Sequence, residues 1–175
     1  MSLINQSLKG IIGLLVFNFY NNEFCIDLQN VTEVKKVDAV QIHFNKRNEA
    51  VINLDTSKYK LIQLYKLMGY VNLKTAKDNR VIFADIFNKK IAFFVESVTE
   101  VLTTRLLFID DTLDMELLSD KKYLKGIIKY QGRKIYIPDY EKISRELVKL
   151  VQVRSITGVS REYPKGSNYL DQRDH

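Results

Sequence analysis

The sequence predicts an all-β fold with a few short helices. Apolar residues alternate with polar ones at period two over most of the chain, and turn residues separate these short stretches. The composition is also that of a folded domain, because 46% of the 175 residues are apolar and 27% are charged. Many short strands at this spacing are typical of a barrel or a sandwich.

The first predicted element is a hairpin. Residues 13–20 and 23–28 are rich in β-branched and aromatic side chains, and the pair Asn21-Asn22 between them is a turn signal. Further strands are predicted at 40–44, 50–54, 59–62, 81–87, 91–95, 126–130 and 134–137. The turns between them are predicted at Asp55-Thr56-Ser57, Asn88-Lys89 and Gln131-Gly132.

Two helices interrupt the strand pattern. Residues 64–68 form a short apolar run that ends at Gly69, as expected for a helix with glycine just past its end. Asp139 follows Pro138 and is suited to cap a second helix. That helix would carry its apolar side chains on one face, at Ile143, Leu147, Leu150 and Val151.

An internal repeat divides the chain into two related halves. Residues 17–34 align without a gap on residues 84–101, and both segments continue into the sequence Val-Thr-Glu-Val. Residues 53–67 resemble residues 129–143 as strand, turn, strand and helix start. The alternative is a chance similarity of two hairpins, but a match through turn and following motif favours a duplication.

The repeat sets the predicted domain organisation. Half of such a chain buries little apolar area by itself, so the two halves should pack around one core. We therefore predict a single domain over residues 1–154, with two subdomains that divide near residues 70–80. Residues 155–175 are polar and lack a sustained period, which predicts a flexible tail.

No constellation of residues predicts catalysis, a cofactor or a metal site. A single cysteine, Cys25, excludes a disulfide framework and points to a reducing compartment. It is expected to be a small core residue, and His43 a strand residue, while His175 ends the chain. Asp110-Asp111 and Asp114 lack the pattern of a calcium loop. Without a signal peptide or membrane segment, the chain is expected to be cytoplasmic.

The net charge of +6 raises a second possibility, a small-barrel protein that binds nucleic acid. Acidic residues are mixed with the basic ones throughout, however, which favours a solvated surface. Aromatic side chains could stack on bases. The candidates for such stacking stand near basic residues and are Tyr65, Tyr123, Tyr130 and Tyr140.

Four segments in order resemble the CheW family of chemotaxis coupling proteins. Residues 15–34 resemble the family's first hairpin and its V-x-E turn, and residues 51–69 resemble its I-N-L-R-G strand pair. Residues 80–102 resemble the second hairpin with its V-x-x-V turn, and residues 123–143 resemble the closing G-R-x-I segment. The resemblance implies two small intertwined five-stranded β-barrels plus a C-terminal helix. It also implies a non-catalytic adaptor without a cofactor.

The resemblance further implies two partners for the chain. They are the regulatory domain of a CheA-type histidine kinase and the cytoplasmic tip of a chemoreceptor, so the protein would be recruited to receptor arrays without inserting into the membrane or binding nucleic acid. The V-x-E positions implied in kinase binding are Val31, Glu33 and Val34. An apolar side chain beside one charge suits such a surface, although Val34 is equally well explained as a core residue.

The implied receptor contact is where the chain departs from the family. The I-N-L-R-G motif reads Ile-Asn-Leu-Asp-Thr here, with Asn53, Leu54 and Asp55 at its centre. An acid in place of the arginine changes the local charge by two units, which is enough to exclude a partner that the arginine selects. The sequence therefore predicts a divergent member whose partners differ from those of an ordinary coupling protein.

Overall fold

The computed structural model describes residues 11–74, 76–105, 109–110, 121–146 and 168–169. Strands dominate this part of the chain, as predicted. They are β1 (Ile11–Phe19), β2 (Asn22–Asp27), β3 (Val31–Lys36), β4 (Gln41–Phe44), β5 (Ala50–Leu54), β6 (Ser57–Ile62), β7 (Arg80–Ile86), β8 (Lys89–Val95), β9 (Ser97–Arg105), β10 (Ile109–Asp110), β11 (Leu124–Tyr130), β12 (Arg133–Pro138) and β13 (Asn168–Tyr169). Helix α1 covers Leu64–Leu67, and a second helix, α2, is described over 140–146. Short 3₁₀ turns occupy Leu28–Asn30, Val37–Ala39 and Lys121–Tyr123.

The strands form two sheets that exchange one strand each. One sheet has the order β10-β11-β12-β2-β1-β9, and the other has the order β13-β4-β5-β6-β8-β7-β3. Strand β3 follows the first hairpin in sequence but pairs with β7 of the second hairpin. Strand β9 follows the second hairpin but pairs with β1 of the first. The expectation of two intertwined β units is confirmed, although the sheets contain six and seven strands where five were expected in each.

The pairing register confirms the internal repeat. Lys60 of β6 lies opposite Ile91 of β8 in a parallel pair. Tyr136 of β12 lies opposite Phe24 of β2 in a second parallel pair. Ile91 and Phe24 are equivalent in the first predicted alignment, and Lys60 and Tyr136 are equivalent in the second. Both alignments therefore describe one structural duplication.

The Val-Thr-Glu-Val segments are strands rather than the turns that the family resemblance implied. Residues 31–34 lie in β3 and residues 98–101 lie in β9. Their β-branched valines and threonines favour extended backbone, which explains the difference. Each strand contains a register shift at its threonine, between Val31 and Glu33 in β3 and across Thr99 in β9. The duplication thus includes the same β-bulge twice.

The predicted turns and helices are found with small shifts. In the first hairpin the turn falls on Tyr20 and Asn21, and Tyr20 has a positive φ of 55°. Gly69 follows α1 with a φ of 88°, the left-handed conformation expected just past a helix. Asp139 caps α2, because its side chain accepts a hydrogen bond from the backbone N–H of Lys142 at 3.0 Å.

One large apolar core joins the two halves. Phe17 of the first hairpin and Phe93 of the second are both fully buried, and their ring centroids are 5.7 Å apart. The ring of Phe93 also lies 6.3 Å from that of Tyr140, in α2. A smaller cluster around Val16, Cys25 and similar residues lies in the other face of the β1–β2 sheet. The two halves thus pack around one core, and that neither half folds alone stays a prediction.

The connection between the halves is fastened to the first hairpin. The Glu96 carboxylate accepts hydrogen bonds from the backbone N–H groups of Tyr20 at 2.7 Å and Lys74 at 3.1 Å. The Tyr20 hydroxyl donates to the carbonyl of Asn72 at 2.7 Å, and its ring stacks on Tyr70 with a centroid distance of 4.9 Å. Residues 70–74 are therefore held by both halves.

Several predicted features lie outside the described residues. These are the helix positions Leu147, Leu150 and Val151, the acidic residues Asp111 and Asp114, and His175. The tail predicted at 155–175 also lies outside, except that Asn168 and Tyr169 pair in parallel with Gln41 and Ile42 of β4.

Candidate partner-binding surfaces

Strand β3 places the predicted kinase-binding residues at the edge of a sheet. Within the described residues it has a neighbouring strand, β7, on one side only. Val31 and Val34 are half-buried and pack against the main core, so part of each side chain remains at the surface. Thr32, between them, is exposed. The strand thus offers an unpaired backbone edge beside partly exposed apolar side chains, which suits a protein partner.

Glu33 supplies the charge on this edge. Its backbone lies opposite Phe83 of β7, directly after the bulge at Thr32. Its carboxylate is 3.5 Å from the Lys35 ammonium on the same strand, and the two side chains are 41% and 35% exposed. Because both ends of this ion pair are solvated, it restrains Glu33 only weakly.

The Asn53-Leu54-Asp55 triplet falls at the end of the β5–β6 hairpin. Asn53 and Asp55 are exposed, and Asp55 has a positive φ of 50° in the turn. Leu54 is only 4% exposed and belongs to the main core. The alternation of side chains along a strand explains this, because Asn53 and Leu54 must face opposite sides. The side chains available to a receptor in this triplet are therefore those of Asn53 and Asp55 alone.

A patch of exposed apolar side chains was missed at the sequence level. Ile11 is 65% exposed, Val101 is 53% exposed and Leu28 is 38% exposed. Leu28 covers Gly13, where an added Cβ would come within 3.3 Å of its Cδ2 atom. In the β1–β9 pair, Gly13 lies opposite Thr103 and lies two residues from Ile11 on the same face. We call Ile11, Leu28 and Val101 the junction patch, since residues 28–30 contact both β1 and β7 across the two sheets.

The residues considered above as candidate catalytic groups occupy positions that the packing and pairing of the strands explain. Cys25 is buried, and burial followed by the nearby Asp27 carboxylate raises the pKa of its thiol to about 12. A thiol with this pKa is a poor nucleophile at neutral pH. His43 lies opposite Val51 in the β4–β5 pair. No three His, Cys, Asp or Glu side chains in the described parts of the chain are grouped to hold a metal ion.

The aromatic residues weighed for base stacking lie mostly in the core. Tyr65, Tyr123 and Tyr140 are 2%, 4% and 6% exposed. Tyr130 packs against the smaller apolar cluster. Core packing along the alternating strands explains their positions, so they do not form the exposed stacking surface that a nucleic-acid-binding protein requires.

Arg133 forms an ion-pair network within the sheet that contains β2, β9 and β12. Its Nε donates to Glu23 Oε2 at 3.0 Å, and its Nη2 donates to Glu100 Oε1. These two hydrogen bonds raise the pKa of the Arg133 guanidinium, with Glu100 contributing most. Glu100 is the repeat equivalent of Glu33, but Glu100 forms an ion pair with an arginine, whereas Glu33 forms one with Lys35.

No helix in the described residues has both the length and the apolar character that a membrane crossing requires.

Comparisons with known proteins identify the family. The model of the CheW-like domain matches residues 13–148. The chain is 31% identical over 135 residues to the chemotaxis protein CheW of Thermotoga maritima, covering 76% of this chain and 82% of that protein. It is 24% identical over 149 residues to the probable chemotaxis protein CheW of Rhizobium etli, covering 83% and 96%.

A solved structure agrees with this assignment. The crystal structure of the scaffolding protein TtCheW from Thermoanaerobacter tengcongensis superposes with a TM-score of 0.64 at 25% identity, covering 74% of this chain and 89% of that one. The family match takes in both hairpins, both exchanged strands and the described part of α2. The chain therefore belongs to the CheW-like family of chemotaxis scaffold proteins.

Proposed function

We propose that this protein is a non-catalytic adaptor that couples chemoreceptors to a CheA-type histidine kinase. The observation that carries the proposal is the pair of exposed surfaces, the β3 edge and the junction patch, on a fold that this chain shares with the scaffolding protein TtCheW. An adaptor requires surfaces for two partners and no reactive group. The buried thiol of Cys25 agrees with the second requirement.

The β3 edge is assigned to the regulatory domain of the kinase. Val31 and Val34 would bury their remaining exposed apolar surface against the kinase domain. Glu33 would favour a partner that carries a positive charge at the matching position. An unpaired strand edge also offers backbone hydrogen bonds to a partner strand. In this surface the Glu33→Lys variant should bind the kinase domain more weakly and fold normally, since the Glu33 side chain is substantially exposed.

The junction patch is assigned to the cytoplasmic tip of the receptor, and the exposed side chains of Asn53 and Asp55, at the end of the β5–β6 hairpin, are a separate candidate contact with it. Contiguous exposed apolar side chains on a folded protein commonly mark an interaction site. Ile11 and Val101 expose more than half of their surface, while the exposed Thr99 and Thr103 flank Val101 along β9. An apolar centre with a polar rim is the usual composition of a protein interface.

One binding experiment tests both assignments. Titration calorimetry would measure the affinity of the full chain for the regulatory domain of a CheA-type kinase and for a soluble receptor-tip fragment. We expect Val101→Asp to weaken receptor binding about tenfold or more without changing kinase binding, because it places a charge in the desolvated patch. Val71→Asp is the matched control, because Val71 is 75% exposed and lies outside the patch. Equal loss in both variants, or no loss in either, would contradict the receptor assignment.

A further inference from the structure

The duplication places a glutamate at the same backbone position in each half. Glu33 lies opposite Phe83, and Glu100 lies opposite Val16. Phe83 and Val16 are themselves equivalent in the repeat, and each glutamate directly follows a β-bulge at a threonine. A bulge redirects the side chains around it, so the two carboxylates leave their sheets in equivalent ways.

Only one of these glutamates has a guanidinium partner within the described residues. The Glu100 carboxylate accepts a hydrogen bond from Nη2 of Arg133, and Nε of the same arginine donates to Glu23. The repeat equivalents of Arg133 and Glu23 in the other sheet are Ser57 and Lys90. There the Lys90 ammonium donates to the Ser57 hydroxyl at 2.6 Å, and no arginine takes the place of Arg133 beside Glu33.

Among the described residues, no arginine therefore pairs with Glu33 as Arg133 pairs with Glu100, in the sheet that carries the proposed kinase surface. Glu33 retains the solvated contact with Lys35 as its one described ion pair. The exposed Asp85 lies directly opposite Lys90 in the β7–β8 pair and offsets part of the lysine charge. A substantially exposed carboxylate such as that of Glu33 can bind a planar, bidentate cation from outside.

We propose that Glu33 binds an arginine of the kinase regulatory domain, in the position that Arg133 occupies beside Glu100. This inference rests on the proposed function and names the chemistry of that surface. Arginine fits better than lysine, because its planar group can bind a carboxylate through two N–H groups, and Arg133 already shows a guanidinium in the equivalent position. The arginine selects the partner, and the valines of β3 provide the apolar contact.

The test introduces the equivalents of Arg133 and Glu23 next to Glu33 in the chain itself. The double variant Ser57→Arg/Lys90→Glu copies Arg133 and Glu23 into the sheet that contains β3, so the new arginine should bind Glu33 intramolecularly and exclude the arginine of the partner. Titration calorimetry with the kinase regulatory domain should then show an affinity about tenfold lower, although Glu33 itself is unchanged. Glu33→Gln should lower the affinity by a similar factor. Thermal unfolding of each variant would verify the fold.

Two controls separate this effect from a general loss of surface charge. Ser57→Ala removes the Lys90 hydrogen bond without adding an arginine and should bind as the wild type does. Glu100→Gln disturbs the Arg133 network in the other sheet and should also leave kinase binding unchanged. The partner arginine can be found by charge reversal, since Arg→Glu in the kinase domain should weaken binding to the wild type and regain it with Glu33→Arg.

The outcomes distinguish this inference from the function on which it rests. Absence of any binding between the wild-type chain and the kinase domain would overturn the proposed function, and this inference with it. Binding by the wild type that persists unchanged in both Glu33→Gln and Ser57→Arg/Lys90→Glu would overturn this inference alone. Loss of binding in Glu33→Gln without loss in the double variant would show that Glu33 contacts a different group.

Discussion

Phe93 contacts both halves of the chain in the core, so we expect its truncation to destabilise both halves together in one unfolding transition. It is fully buried in the main core, 5.7 Å from the Phe17 ring of the first hairpin and 6.3 Å from the Tyr140 ring of α2. Truncation to alanine removes the whole ring and leaves a cavity between elements that belong to both halves. Such large-to-small changes in a core lower the free energy of unfolding by about 3–5 kcal/mol.

This loss is large against the stability of the whole domain. A natural domain of this size has a free energy of unfolding of roughly 5–15 kcal/mol, so Phe93→Ala should remove a substantial share of it. With a urea m-value of about 2 kcal/mol/M, the midpoint should fall by roughly 1.5–2.5 M. Phe93→Leu keeps most of the volume and should lose less, since mainly the aromatic contacts with Phe17 and Tyr140 disappear.

Urea denaturation followed by two signals would measure these effects. Far-ultraviolet circular dichroism reports the strands, and tyrosine fluorescence reports the packing, because the chain contains ten tyrosines and no tryptophan. Both signals should give one coincident transition that shifts with an unchanged m-value. Val101→Ala is the control, since Val101 is 53% exposed and its truncation should cost little. Two separate transitions, with only one affected by Phe93→Ala, would refute the view that the exchanged strands make one cooperative unit.

Two further predictions concern single surface residues. The pKa of the Glu49 carboxyl is lowered from its ordinary value of 4.5, mainly by the hydrogen bond from Lys60 and then by that from Asn45. A carboxyl group whose pKa is lowered by folding stabilises the fold at pH values above its ordinary pKa, and this contribution is lost as the pH falls through the pKa of the folded state. The difference in stability between wild type and Glu49→Gln should therefore be constant near neutral pH and shrink below about pH 4.5. A difference that grows on acidification would contradict this prediction. Asp55→Arg should strengthen binding to a conventional receptor tip, because it restores the charge of the family motif at an exposed turn; unchanged affinity in titration calorimetry would show that the receptor contact depends on other residues.

The sequence was sufficient for the local elements of the fold. The hairpins follow from period-two alternation and from turn residues such as Asn88 and Gly132, which take positive φ values. The exchange of β3 and β9 could not be predicted from these signals, because pairing partners that lie far apart in sequence depend on tertiary packing. The bulges at Thr32 and Thr99 were likewise hidden, since a bulge leaves no reliable pattern in one sequence.

The binding surfaces were predicted less well than the fold. Strand alternation alone could have removed Leu54 from the receptor contact, because its neighbours Asn53 and Asp55 are polar. Leu28 and Val101 look like ordinary strand-end hydrophobic residues, and their exposure depends on which strands lie beside them. The difference in ion pairing between Glu33 and Glu100 could be recognised only from the alignment of the two halves together with the contacts of Arg133.

The fastening of residues 70–74 bears on how an adaptor of this kind transmits a signal. Glu96 joins the first hairpin, the connecting segment and the second hairpin through two backbone hydrogen bonds, and the Tyr20–Tyr70 stack covers the same segment. The connection therefore acts as a brace rather than a hinge. A partner bound at the β3 edge and another at the junction patch would be held at a fixed distance and angle, so displacement of one would be passed to the other instead of being absorbed between the halves.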